Sequence, residues 1–148
     1  MSGLLDLQLK IENHFEFLKT DFGFKGPFYW NLAYEQEYTF INGQYYLNIG
    51  FDGGFLISVG KTNELIPDLA TGKMTLKDVK YKESRSMMLV DLLSEKEKID
   101  LKNIKNPSDE LHFWSKIVKT NSEILLGDWY KFSVKYKIKK YFSKLLYR

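Results

Sequence analysis

Between Glu37 and Lys61 the chain reads EYTFINGQYYLNIGFDGGFLISVGK, and its hydrophobic and polar positions alternate. Tyr45, Leu47, Ile49 and Phe51 take every second place, with Tyr46, Asn48 and Gly50 between them. That is the period of a strand with one strongly apolar face. The runs stop at Asn42-Gly43 and at Asp52-Gly53-Gly54, residue types that tolerate the positive φ of tight hairpin turns. The spacing predicts antiparallel strands over roughly 36–42, 44–51 and 54–60. Phe28–Tyr34 (FYWNLAY) reads as a strand before them, which gives a four-stranded meander. So small a sheet needs a helical cover on its apolar face.

Helical periodicity flanks the meander. Leu4, Leu7, Ile11, Phe15 and Leu18 recur at three- and four-residue steps and predict an amphipathic helix over roughly 4–20, ended by Gly23 and Gly26-Pro27. Phe22 and Phe24 are expected as plugs between that helix and the sheet. Residues 61–83 carry Pro67, Gly72 and scattered charges, and read as a loop with at most one short helical turn. Ser84–Glu97 reads as a helix with Met87, Met88, Val90, Leu92 and Leu93 turned inward. Asn106-Pro107-Ser108 starts another, with Ser108 as cap and Asp109 and Glu110 at the positive end of its dipole. Leu111, Trp114, Ile117, Val118, Ile124 and Leu125 form its buried face, and Gly127 suits the residue just beyond its end.

The last stretch supports two patterns. Tyr130, Phe132, Val134, Tyr136 and Ile138 alternate as in a strand, whereas Val134, Ile138, Tyr141 and Leu145 follow helical steps. The helical series runs further and lysines are good helix formers, so a helix over roughly 129–147, capped by Asp128, is expected. The fold class is therefore α+β: an antiparallel meander sheet of about four strands packed by N-terminal and C-terminal helices, as a single domain over 1–148. A chain of 148 residues can bury a sizeable core, and 44% apolar with 28% charged residues is ordinary for a folded protein.

Composition narrows the chemistry. The 16% aromatic content is high, and such rings serve cores and contact surfaces alike. There is no cysteine, which removes disulfides and thiolate metal ligands from consideration. Met1–Lys10 lacks a basic leader region, and the apolar run Met87–Val90 is closed by Asp91, far short of the ~20 residues of a membrane span. A cytoplasmic location is expected. The net charge of +3 is unevenly placed: residues 129–148 hold six Lys, one Arg and no acid, a local +7. Of the 22 basic and 19 acidic residues, the rest of the chain then holds 15 and 19, a net −4.

Catalytic patterns are missing. His14 and His112 are the only histidines, neither has a second histidine at metal-ligand spacing, and both are expected to be solvated or capping. Ser58, in Ile57-Ser58-Val59-Gly60, lacks the turn that exposes a hydrolase serine. Gly50, Gly53, Gly54 and Gly60 match no phosphate-binding loop, and the hairpin accounts for Gly53-Gly54. Glu35 and Glu37 share a strand face near Asp52. Flanking turns and facing water, they suit an acidic contact patch better than acid–base work, which needs burial. In the basic segment, Lys131, Lys135, Lys137, Lys139, Lys140 and Lys144 interleave with Tyr136, Tyr141 and Phe142. That pattern suits a polyanion or an anionic membrane surface. A helix docking its apolar side on the sheet, with lysines in solvent, is the expectation preferred to it.

The chain resembles small bacterial proteins of unknown function, some of them immunity proteins of polymorphic toxin systems. The resemblance lies in an N-terminal helix ending in Phe22-Gly23-Phe24, the sheet pattern from Glu37-Tyr38 through Tyr46-Leu47-Asn48-Ile49-Gly50-Phe51-Asp52, a late helix with Trp114, and Asn121–Trp129 (NSEILLGDW). It implies a cytoplasmic protein that binds and blocks a cognate toxin, and it transfers no catalytic residue. A pI of about 8.9 departs from the acidic character expected opposite a basic nuclease.

The expected function is a non-enzymatic protein-binding module without cofactor or metal. A protein partner would use Glu35, Glu37 and Asp52 together with Glu64 and Asp68 of the 61–83 segment. The alternative is a nucleic-acid- or anionic-membrane-binding protein acting through 129–148.

Overall fold

The computed structural model describes residues 2–32, 35–42, 45–61, 65–68, 73–76, 86–122, 138, 141 and 142; at 2–5, 30–32, 35, 61, 65–68, 73–76, 86 and 87 it describes the backbone alone. The meander stands where the alternation places it. Strands β1 (Lys25–Leu32), β2 (Glu35–Asn42), β3 (Tyr45–Phe51) and β4 (Phe55–Lys61) pair antiparallel in sequence order. Gln36 lies opposite Phe51, Glu37 opposite Gly50, and Ile49 opposite Ile57. The first strand starts earlier than the expected 28–34, because pairing with β2 begins at Lys25 and breaks into a bulge before Phe28.

Three further strands widen the sheet. The stretch read as a loop over 61–83 contains β5 (Leu65–Asp68) and β6 (Lys73–Leu76), an antiparallel pair that joins β1 through a parallel contact of β6. Pro67, which argued for a loop, sits on the outermost strand, where a missing N–H costs no ladder bond. On the other side β7 (Ser86–Met88) pairs with β4, so the order is β5-β6-β1-β2-β3-β4-β7.

The expected helix over 84–97 does not form. Met87 and Met88 extend the sheet, Leu89–Leu92 make a 3-10 turn, and the helix starts only at α3 (Glu95–Asn103). Ser94 is the reason. Its side chain accepts from the Glu97 N–H while Glu97 accepts from the Ser94 N–H, a capping box that fixes a helix start near the end of the expected helix. The long N-terminal helix is likewise two, α1 (Ser2–His14) and α2 (Glu16–Phe22), broken at Phe15. The break lets Phe15 and Leu18 both reach full burial. Helix α4 (Pro107–Thr120) is capped by Asn106 rather than Ser108, with Pro107 opening its first turn and Asn121 closing it. Ile124, Leu125 and Gly127 lie outside the described residues.

The core lies on one face of the meander. Leu7, Ile11 and Phe15 meet Leu111, Trp114 and Val118 above Tyr38, Phe40, Leu47, Ile49, Ile57 and Val59. Phe24 is buried there and Phe22 is half-buried against it, as plugs should be. Leu89, Leu92 and Leu93 close the β4 side. Strand alternation puts Phe28, Glu37, Thr39, Asn48 and Gly50 on the opposite face, where Phe28, Glu37, Thr39 and Gly50 are buried as well. Most of the expected helix over 129–147 falls outside the described residues; within it Ile138, Tyr141 and Phe142 are helical and exposed. Ile138 and Tyr141, both expected on the docked apolar side, are thus more than half exposed. No described helix is long and apolar enough to cross a membrane.

Candidate protein-binding site

The β2–β3 register sets one end of the sheet. Leu32 pairs with Glu35 and Gln36 with Phe51, so Glu35 is next in register to Asp52 across the strand ends. Asp52-Gly53-Gly54 turns the chain there: the Asp52 N–H donates to the Gly54 carbonyl at 3.0 Å, and Gly53 takes φ +67°, which glycine adopts without steric cost. Asp52 projects into solvent beside the ring pair Phe51–Phe55, whose centroids are 4.9 Å apart. Phe55 is buried and Phe51 half-buried, so an exposed carboxylate beside the Phe51 ring can both steer and anchor a protein partner.

Helix α4 is pinned to the same end. Glu110, in its first turn, accepts the Phe55 N–H at 2.7 Å. Burial raises the Glu110 pKa, while the Phe55 N–H and the nearby Trp114 indole work to lower it. The indole N–H itself makes no hydrogen bond of sound geometry. Beside Glu110, exposed Asp109 accepts from the Asn106 amide at 2.7 Å. Asp109 adjoins Glu110 in sequence, Asp52 lies three residues before Phe55, and the Glu35 backbone is next in register to Asp52, so three acidic positions fall at this end. The sequence suggested only a dipole role for Glu110; its grip on β4 depends on a tertiary contact.

Glu37 does not belong to that surface. It is 8% exposed, not facing water as expected, and lies on the sheet face opposite the core. The Thr39 hydroxyl donates to Asn48 Oδ1 at 2.6 Å, and the Asn48 amide donates to Glu37 Oε2. Gly50 faces Glu37 in register, and a Cβ there would sit 3.2 Å from Oε1, so the carboxylate occupies space that a larger residue would take. This polar cluster locks β2 to β3, since slipping the register by one residue would break every one of its contacts.

The other proposed residues do not converge. Asp68 pairs with Lys73, which is level with Tyr29 in mid-sheet, and β5 is three strands from β2, about 14 Å at the usual strand spacing. Glu64 lies outside the described residues, as do Lys131, Lys135, Lys137, Lys139, Lys140 and Lys144. The fold instead brings together two residues that the sequence reading kept apart. His14 and His112 meet across α1 and α4, ring centroids 6.2 Å apart. Burial, then His112, then Lys119 lower the His14 pKa, and Lys119 itself stands over the Phe17 ring at 4.7 Å. Among the described residues no group of three or more His, Cys, Asp or Glu is placed to hold a metal ion. No protein-family model, curated protein or solved structure matches this chain.

Proposed function

We propose that this protein is a non-enzymatic binding module whose acidic sheet end engages a protein partner, in the manner of an immunity protein that blocks a toxin. The observation that carries the reading is the register that sets Glu35 beside exposed Asp52, with α4 and its Asp109 fastened to the same end by Glu110. A rigid rim of this kind costs little ordering entropy on binding. Its complement is a basic contact surface on the partner, and the net −4 of residues 1–128 favours that encounter at long range. Glu37 acts from behind, holding β2 and β3 in register so that the rim keeps its shape.

The test is kinetic. A partner co-purified from the native host is isolated, and its association with the wild-type chain is timed against Glu35→Lys/Asp52→Lys. Rim charges act mainly on association, so the double variant should associate slower by on the order of tenfold, and the salt dependence should flatten. Unchanged association at every salt concentration would remove the acidic end from the interface.

A further inference from the structure

We propose a second interaction surface, independent of the acidic end: the C-terminal segment 129–148 binds the surface of an anionic lipid bilayer, with Ile138, Tyr141 and Phe142 entering the headgroup boundary. Ile138, Tyr141 and Phe142 are helical, and their i, i+3 and i+4 spacing places them on one side of a helix. They are 51%, 63% and 56% exposed, and the two rings touch edge to face at 5.9 Å. Among the described residues the other exposed large apolar side chains, Leu9, Leu56 and Ile99, stand singly on α1, β4 and α3. Scattered exposure of that sort is ordinary, whereas three such residues on one helical side form a contact surface.

The charge around that surface selects the occupant. Residues 129–148 hold six Lys, one Arg and no carboxylate, beside a remainder of net −4. A basic segment with an apolar helical side lies flat in the interface, where anionic lipids draw the cations in and the apolar side chains enter the acyl boundary. Lipid is favoured over nucleic acid by two features. Ile138 offers no ring on which a base could stack, although it is as exposed as its neighbours. The cations are lysines in all but one case, point charges suited to a diffuse anionic surface more than to the forked recognition of single phosphates that arginine provides.

The experiment uses the full chain. Cosedimentation with phosphatidylcholine vesicles, with and without phosphatidylserine, is compared for wild type, Ile138→Ser/Tyr141→Ser/Phe142→Ser, and Lys131→Gln/Lys135→Gln/Lys139→Gln. Circular dichroism checks that each remains folded. Wild type should sediment only with phosphatidylserine-containing vesicles and be released as salt rises. The serine variant should lose at least about tenfold in partitioning, because three large apolar side chains no longer leave water. The glutamine variant should bind more weakly and with a flatter salt dependence. Three results would overturn the proposal: no phosphatidylserine-dependent binding by the folded wild type; binding to DNA or RNA with none to vesicles; or a concentration-dependent dimer that the serine variant abolishes, which would make the apolar side an interface between copies.

Discussion

Replacing Trp114 by alanine probes the junction on which α1, α4 and the sheet converge. The ring is 1% exposed, belongs to the core formed by Ile11, Phe15, Tyr38 and Phe40, and meets Phe113 edge to face at 5.3 Å. Truncating a buried tryptophan costs about 3–5 kcal/mol, from lost transfer energy plus the cavity left behind. One feature of the site lowers that figure. The buried indole N–H faces the Glu110 carboxylate without a well-aligned hydrogen bond, so its loss with the ring gives back part of a desolvation cost. The lower part of the range, about 3 kcal/mol, is therefore expected. Urea unfolding followed by circular dichroism should show the midpoint falling at unchanged slope, and for a chain of this size Tm should drop by roughly 6–12 °C. Trp114→Phe, which keeps a six-membered ring but gives up three of the nine indole ring atoms together with the N–H, leaves a smaller cavity and should cost less than the alanine variant. A midpoint shift below about 1 kcal/mol for the alanine variant would mean that Trp114 does not hold the helix layer to the sheet. A phenylalanine variant as damaging as alanine would mean that the ring it keeps contributes nothing, against the packing role assigned to Trp114.

Other consequences follow from the same geometry. Glu37→Ala should destabilise by roughly 1–3 kcal/mol because it strands the Asn48 amide, whereas Asp52→Ala should stay within about 0.5 kcal/mol; equal effects in urea unfolding would contradict the split between buried and surface carboxylates. Glu110→Ala should cost on the order of 1–3 kcal/mol by leaving the Phe55 N–H without its acceptor. Glu110→Gln, which can still accept, should match or exceed wild type at neutral pH. The Glu110 pKa is raised, so its carboxyl favours the fold below the unfolded value and that advantage fades as pH rises through the folded one. His14 has the opposite sign. Its lowered pKa means that full stability is present above the unfolded value of 6.5 and is lost as pH falls from there through the folded pKa. Unfolding curves between pH 8 and 5 should show this loss in wild type and a smaller one in His14→Gln, and identical profiles would remove His14 from the account.

The meander was legible because two independent signals agree there: period-2 alternation sets the face, and Asn42-Gly43 and Asp52-Gly53-Gly54 set the turns. Where one signal stood alone, the reading slipped. The apolar positions between Met87 and Leu93 fit a helix, yet Ser94 and Glu97 form a capping box that moves the helix start past them. Strands β5 and β6 are four residues each, too short for alternation to rise above noise, and Pro67 argued against a strand because an edge position cannot be seen in sequence. At the candidate site, alternation correctly placed Glu37 on the face away from the core but could not show that this face is buried too. That depends on what packs over Phe28, Glu37 and Thr39. The His14–His112 contact was invisible for a simpler reason: α1 and α4 are brought together only by tertiary packing.

The binding account rests on one end of the sheet, and site-specific photo-crosslinking in the native host tests it most directly. A photoreactive side chain is placed at Asp52, and, as a control, at Ile99, which is also exposed but lies on α3. The account predicts one protein adduct from position 52, identified by mass spectrometry, that forms a binary complex with the purified chain, and no such adduct from position 99. The same adduct from both positions, or one from position 99 alone, would contradict it.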